Sequence, residues 1–145
     1  MTTMISIDPG ARTGWAVWRD GTLVACGACA PQSLPLGPYD ECVIEWPRER
    51  RGGHASVASL VTLGAHAGEA LGRIGATSPR RVDPSEWKGQ VPKPERGGNY
   101  IIARRVDAAL REGEPAPAWL VSDFDTWDAI GLGLWALGRV RRGCV

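Results

Sequence analysis

The sequence lacks any apolar run that approaches the roughly 18 residues of a membrane-spanning helix. Its N-terminus also lacks a basic stretch followed by an apolar stretch, which is the pattern of a secretory signal peptide. No repeat, low-complexity tract or linker divides the 145 residues. We therefore expect one cytoplasmic domain that covers residues 1–145 and has no membrane partner.

An excess of charge of one sign is also lacking, because 17 Lys and Arg residues nearly balance 16 Asp and Glu residues, for a net charge of +1. Strong non-specific nucleic-acid binders are usually more basic, so the global charge does not argue for DNA. Clusters of arginine are better evidence, although solvated surface explains any single cluster at least as well. The clusters are Arg48, Arg50 and Arg51; Arg80 and Arg81; Arg104 and Arg105; and Arg139, Arg141 and Arg142.

Zinc ligands are scarce, since the chain has 4 cysteines and 2 histidines. Cys26 and Cys29 have the CxxC spacing, but a structural zinc site needs four ligands and no second pair follows at ligand spacing. Both cysteines also fall in a predicted strand, where residues three apart point to opposite faces. We predict buried, reduced thiols at these two positions.

The hydrophobic patterns predict an α/β fold in which helices pack on a mixed sheet. Asp20-Gly21 is typical of a type I′ hairpin, so the first three strands should form an antiparallel meander. Strands are predicted at 3–8, 13–18, 22–28, 41–45 and 81–82, and helices at about 54–74, 85–88, 100–110 and 122–139. The last helix should begin at Ser122.

The first long helix should carry one apolar stripe, which indicates a face that is buried. Its members are Val57, Leu60, Val61, Gly64, Ala67, Leu71 and Ile74. The stripe fits packing on the sheet and a dimer interface equally well, and both interpretations stay open.

Four acids stand where predicted elements begin or end. Asp8 and Glu45 each close an apolar strand, so they would meet at one edge of the sheet if the first and fourth strands are parallel neighbours. Asp125 and Asp128 share one face of the last helix, with Cβ atoms ~5–6 Å apart. Crowded carboxylates raise each other's pKa values, and divalent cations remove that repulsion. Two Mg²⁺ or Mn²⁺ ions ~3.5–4 Å apart on such oxygen ligands can hydrolyse a phosphodiester.

Each acid also has a simpler interpretation. Asp8 fits a turn before Pro9-Gly10, and Glu45 fits a solvated strand end. Asp125 fits a capping box with Ser122, and Asp128 fits the first turn of a helix, where the dipole favours an acid. Their joint occurrence in this order favours the metal site.

Three segments resemble the motifs of the RuvC-type Holliday-junction resolvases of the RNase H-like superfamily. Asp8-Pro9-Gly10 with Thr13-Gly14 resembles the first motif, Val43-Ile44-Glu45 the second, and Asp125-Thr126-Trp127-Asp128-Ala129 the last. A further basic segment is similar to the one that precedes the penultimate helix of that family, and it contains Pro84, Trp87, Lys88, Gly89 and Lys93. The run Glu45-Trp46-Pro47 resembles small phage-encoded members.

The resemblance implies an RNase H-like mixed five-stranded sheet and a homodimer that cuts four-way DNA junctions. Asp8, Glu45, Asp125 and Asp128 would be catalytic ligands of two Mg²⁺ or Mn²⁺ ions, and Lys93 would lie near the scissile phosphate. Arg48 stands near the position at which the family carries a wedging aromatic, which leaves Trp46 as the stacking candidate. The DNA contacts expected are Arg12, Trp46, Arg48, Arg50, Arg51, Lys88 and Lys93.

Three other functions compete with junction cleavage. A related nuclease would act on RNA–DNA hybrid, flap or single-stranded DNA. A binding module would keep the fold without catalysis, although the presence of all four acids argues against it. An actin-like ATPase shares the Asp-x-Gly loop, but that class needs two such domains and further glycine-rich loops, so we expect no nucleotide cofactor.

Overall fold

The computed structural model describes residues 1–46, 56–89, 101–117 and 124–143, and this part of the chain forms five strands and four helices. The strands are β1 Thr3–Asp8, β2 Thr13–Arg19, β3 Thr22–Cys29, β4 Glu41–Glu45 and β5 Arg80–Val82. The helices are α1 Val57–Ile74, α2 Pro84–Trp87, α3 Ile101–Ala109 and α4 Phe124–Ala136, and Pro31–Ser33 form a 3₁₀ turn. No helix of these segments has the length and apolar character needed to cross a membrane.

The five strands form one mixed sheet in the order β3-β2-β1-β4-β5. β1 pairs antiparallel with β2, and β2 pairs antiparallel with β3, which confirms the predicted meander. The hairpin turns at Asp20 and Gly21, whose φ angles of 48° and 75° are the positive values that a type I′ turn requires. β4 lies parallel to β1 and to β5, so the predicted α/β class with a mixed sheet is confirmed.

Side chains alternate between the two faces of the sheet and build two apolar layers. Met4, Ala16 and Val43 contribute to the layer beneath α2, α3 and α4. Ile5, Ile7 and Ile44 contribute to the opposite layer, which packs against α1. The sheet is therefore covered by helices on both faces, which leaves its strand ends as the place where polar side chains gather.

Helix α4 is anchored to the centre of the sheet by a buried hydrogen-bonded chain. The indole Nε1 of Trp18 donates to Ser6 Oγ at 2.9 Å, and Ser6 Oγ donates to the carbonyl oxygen of Ala129 at 2.7 Å. A satisfied buried network of this kind specifies one packing arrangement, because any shift leaves a polar group without a partner. Ala129 follows Asp128, so these hydrogen bonds also fix the position of Asp128 relative to the sheet.

The apolar stripe predicted on α1 packs on the sheet only in the second half of the helix. Ala67 and Ala70 are buried against the sheet, but Val57 and Val61 are 76% and 66% exposed. The helix follows its cap Ser56, and among the described residues its first two turns have no strand beneath them. Periodicity identified an apolar face but could not show how much of it the sheet covers.

Two smaller predictions also need correction. Helix α4 ends at Ala136 and not near Arg139, because Gly138 adopts a left-handed φ of 70° that terminates it. Cys26 and Cys29 pack on opposite faces of the sheet as predicted, but both are half-buried and not fully buried. Ser122, the predicted cap of α4, lies outside the described residues.

A buried ion pair ties the segment after α3 to the end of α4. The two carboxylate oxygens of Glu114 accept hydrogen bonds from the guanidinium of Arg139 at 2.7 and 2.9 Å. The same carboxylate accepts the backbone N–H groups of Arg111 and Leu23. Burial works to raise the pKa of Glu114, but these donors outweigh it and lower the pKa to about 2.

Replacing Glu114 by Gln should therefore destabilise the protein in a pH-dependent manner. The pKa of Glu114 lies below its ordinary value of 4.5, so its contribution is fully present above that pH and is lost as the pH falls towards 2. We expect Glu114→Gln to lower the free energy of unfolding by about 3 kcal/mol at pH 7 and by much less at pH 3. Urea denaturation at both pH values, with the exposed Glu112→Gln as control, would test this; an equal loss at both would contradict it.

Candidate active site

The ends of two parallel strands bring Asp8 and Glu45 together. The pairing of β1 with β4 runs to Ile7 and Ile44, and each acid is the next residue of its strand. By alternation Asp8 lies on the same face as Met4, and Glu45 on the same face as Val43, which is the face that carries α4. Both carboxylates therefore lie at one edge of the sheet, as expected if β1 and β4 are parallel neighbours.

The first turn of α4 brings Asp125 and Asp128 over this edge. Gly14 of β2, the partner of Asp8 in the sheet, makes the approach possible. A Cβ atom on Gly14 would lie 1.9 Å from the carbonyl oxygen of Asp125 and 2.3 Å from its carbonyl carbon. No residue with a side chain fits this contact, so a glycine sets the distance between the helix acids and the strand acids.

Trp87 orients Glu45, a role that the sequence did not indicate. Its indole Nε1 donates to Glu45 Oε2 at 3.0 Å, and its ring is fully buried. The short helix α2 that carries it is held by a capping box between Asp83 and Glu86. That box was the available signal that residue 87 occupies a fixed position and not a flexible loop.

Lys88 lies among the acids. Its ammonium nitrogen is 2.8 Å from Asp128 Oδ2 and 3.5 Å from Glu45 Oε2, and only 18% of its side chain is exposed. The sequence predicted a DNA contact at this position. In the structure Lys88 bridges Asp128 of the helix and Glu45 of the strand, and the DNA contact stays a prediction.

The four carboxylates act on each other electrostatically. Burial raises the pKa of Asp8 well above its usual range, and the charges of Glu45 and Asp128 raise it further. Burial also raises the pKa of Glu45, against the opposing effect of Lys88. The pKa of Asp125 is raised by burial and by Asp128, although the neighbouring guanidinium of Arg12 counteracts them. Burial, with repulsion between the carboxylates, therefore disfavours the charged forms of these acids.

The chemistry of these residues fits a hard divalent cation. Carboxylate oxygens are the ligands that Mg²⁺ and Mn²⁺ prefer, and a raised pKa indicates that a further positive charge would be stabilised there. Within the described ranges, however, no three acidic, histidine or cysteine side chains form a group arranged to hold a metal ion as they stand. The donor set fits the ion, while the side chains are arranged around an ammonium group.

The predicted DNA contacts are only partly described. Arg12 is exposed next to the cluster, close enough to influence Asp125. Trp46 follows Glu45 and is half-buried, and the guanidinium of Arg81 lies 4.4 Å from the centre of its ring. The remaining predicted contacts, Arg48, Arg50, Arg51 and Lys93, lie outside the described residues.

The sheet order and pairing are those that the resemblance in the motifs implied. Its antiparallel meander, extended by two parallel strands, agrees with the mixed five-stranded sheet expected from the motifs. Among solved structures, that of RuvC from Thermus thermophilus is similar, with 14% sequence identity, a TM-score of 0.49, and coverage of 97% of this chain and 99% of that chain. No family model and no curated protein matches the chain.

Gly14→Ala should weaken metal binding by more than its effect on stability explains. The added Cβ collides with backbone and must displace the first turn of α4, which separates Asp125 from Asp8. We expect metal affinity to fall about 10- to 100-fold, as it does when a residue that orients a metal ligand without binding the metal is lost. The free energy of unfolding should fall by about 1–3 kcal/mol.

Gly27→Ala is the matched control, because its Cβ would meet the Trp15 ring at 2.8 Å on the face of the sheet opposite the four acids. Calorimetric Mn²⁺ titration and thermal unfolding of both variants would separate the two effects. Equal losses of metal affinity at equal losses of stability would contradict a positioning role for Gly14.

Proposed function

We propose that the chain is a divalent-metal-dependent, structure-selective DNA endonuclease that cuts four-way junctions by phosphodiester hydrolysis. The observation that carries the proposal is the placement of Asp8 and Glu45 at neighbouring strand ends beneath Asp125 and Asp128 of α4. A purely structural role would not require acids at all four of these positions, since their mutual repulsion destabilises the folded protein.

In this proposal Asp8, Glu45, Asp125 and Asp128 hold two Mg²⁺ or Mn²⁺ ions. Bound there, the ions would supply the activation of a water molecule and the stabilisation of the leaving oxygen. The protein contributes rigidity, because three of its contacts fix the acids before any substrate arrives. These contacts are the hydrogen bond from Trp87 to Glu45, the approach of Gly14 to Asp125, and the chain from Trp18 through Ser6 to Ala129.

Basic residues of the chain fit a DNA substrate. Arg12 lies beside Asp125, and Arg48, Arg50, Arg51 and Lys93 are assigned to phosphate contacts by the sequence alone. Phosphate contacts position the duplex and make binding sensitive to salt. Symmetric cutting of a four-way junction needs two active sites, and we propose that a homodimer in the cytoplasm supplies them, each protomer being one domain with one site.

Cleavage of labelled substrates would test the proposal. We expect paired, symmetrical nicks in a synthetic four-way junction with Mg²⁺ or Mn²⁺, and little cutting of linear duplex or RNA–DNA hybrid. Asp8→Asn should lower the cleavage rate by more than about 100-fold, which exceeds the loss typical when a residue that only supports a metal ligand is replaced. Binding of the junction should stay intact. Asp107→Asn makes the same change on the exposed side of α3 and should cut normally.

Each departure has a defined meaning. Preferential cutting of RNA–DNA hybrid, flap or single-stranded DNA would keep the site and replace the substrate. Full activity of Asp8→Asn would refute the site assignment. Absence of cleavage together with retained junction binding would favour the binding module that the sequence left open.

Trp46 is our candidate for stacking on an unpaired base at the junction, since base–aromatic stacking contributes about 1–3 kcal/mol. Trp135 is its matched control: Arg80 covers its ring at 4.7 Å as Arg81 covers Trp46, but it packs on the opposite face of the sheet. We expect Trp46→Ala to weaken junction binding about tenfold or more without loss of metal affinity, and Trp135→Ala to leave junction binding unchanged. A gel-shift titration would decide, and equal behaviour of the two variants would refute the assignment.

A further inference from the structure

Lys88 lies among the acids of the candidate site, and the role inferred for it rests in part on the proposed nuclease function. Its ammonium contacts Asp128 Oδ2 at 2.8 Å and Glu45 Oε2 at 3.5 Å, one acid from α4 and one from β4. Its charge also acts on Asp8 and Asp125. One side chain thus interacts with all four acids of the candidate site.

Local contacts restrict where the Lys88 ammonium can lie. Lys88 directly follows the capped helix α2, and its backbone N–H donates to the carbonyl oxygen of Pro84. Its ammonium also lies 4.9 Å from the centre of the Trp87 ring, the residue that orients Glu45. Backbone and side-chain contacts therefore direct the cation towards the carboxylates.

The ammonium stays charged in this position. Burial works to lower the pKa of Lys88, but the carboxylates of Glu45, Asp128 and Asp8 outweigh it and raise the pKa above its ordinary value. A positive charge at this place neutralises part of the repulsion that the four acids would otherwise exert on each other.

A divalent ion needs the oxygens that the ammonium already contacts. Mg²⁺ binds carboxylate oxygens at about 2.0–2.1 Å, well inside the distance at which the ammonium now sits on Asp128 Oδ2. The ammonium occupies coordination space that the ion needs, so the two compete for these oxygens. In the described residues the acids are accordingly not grouped as a metal would group them.

We propose that Lys88 is an internal counter-ion that holds the four acids together in the metal-free protein and is exchanged for the divalent cation when the metal binds. Gly89, with a left-handed φ of 65°, follows Lys88 after the end of α2, so the lysine lies next to a turn and not within a rigid helix. The displaced ammonium becomes available to a phosphate, which reconciles its present contacts with the DNA contact predicted from the sequence.

Metal titration of the DNA-free protein tests the exchange. Lys88→Met matches lysine as far as Cε and removes the competing ammonium, so Mn²⁺ should bind about tenfold to hundredfold more tightly by calorimetry, in line with the strength of a charge-assisted contact. The thermal unfolding midpoint should fall without metal and recover with Mn²⁺. Lys88→Arg keeps the competing charge and should bind Mn²⁺ no more tightly than the unaltered protein does.

Arg81→Met is the matched control for a general effect of charge. Arg81 pairs with Ile44, the residue before Glu45, but its guanidinium lies over the Trp46 ring. Its replacement should leave Mn²⁺ affinity within about twofold, since an exposed charge is screened by solvent. Unchanged or weaker Mn²⁺ binding by Lys88→Met would overturn the proposal, while failure of the unaltered protein and Lys88→Met alike to bind Mn²⁺ would overturn the proposed metal-dependent function as well.

A measurement on the unaltered protein keeps the test independent of whether Lys88→Met folds. Acetylation of Lys88 by an N-hydroxysuccinimide ester, read by mass spectrometry against the N-terminal amine, should be slow without metal and should rise about tenfold or more with saturating Mn²⁺, because a displaced ammonium loses its charge-assisted partners. The rise should be absent in Asp8→Asn. Reactivity that does not change with Mn²⁺, under conditions where calorimetry shows binding, would overturn the exchange and leave the nuclease assignment standing.

Discussion

Repulsion among Asp8, Glu45, Asp125 and Asp128 is the constraint on which the rest of the structure depends. Four carboxylates at one edge of a sheet oppose the folding that brings them together, and burial increases the cost by raising the pKa values of Asp8, Glu45 and Asp125. Apolar packing on both faces of the sheet must exceed this cost, and the two layers beneath α1 and α4 supply it. The acids are carried by rigid strand ends and one helix turn, so the repulsion cannot be relieved by letting the side chains drift apart.

Close backbone contact resists the separation that the repulsion favours. The Gly14 contact holds the first turn of α4 against β2, and the hydrogen-bonded chain through Ser6 fixes the same helix one turn further on. The two contacts act in different directions: the glycine sets how near the helix lies, and the serine sets its position along its axis. Together they leave α4 little freedom to relieve the crowding, which is the preorganisation that a charged site requires.

The sequence predicted much of this architecture, because the evidence for it is local. All five strands begin and end within one residue of the predicted bounds, since alternation, the Asp20-Gly21 turn and the prolines after β3 mark them directly. Asp8 and Glu45 could be paired from the sequence because each closes a strand. The length of buried stripe on α1 could not, since periodicity carries no information about the size of the surface that a helix meets. The contacts of Gly14 with Asp125 and of Lys88 with Asp128 also escaped prediction, because each depends on an angstrom-scale distance between elements far apart in the chain.

Lys88 resolves a conflict between folding and function that any cluster of acids creates. The protein has to fold before it binds an ion, and at that moment the carboxylates lack the charge that stabilises them in use. An external ion would leave folding dependent on metal, whereas a lysine seated at the end of α2 provides the missing charge from within the chain. A lysine suits this role better than an arginine, because its compact ammonium and flexible stem let it leave as readily as it enters, while a guanidinium would bind two carboxylates in a fixed fork. The flexible stem that lets the ammonium of Lys88 reach the carboxylates also lets a divalent cation displace it.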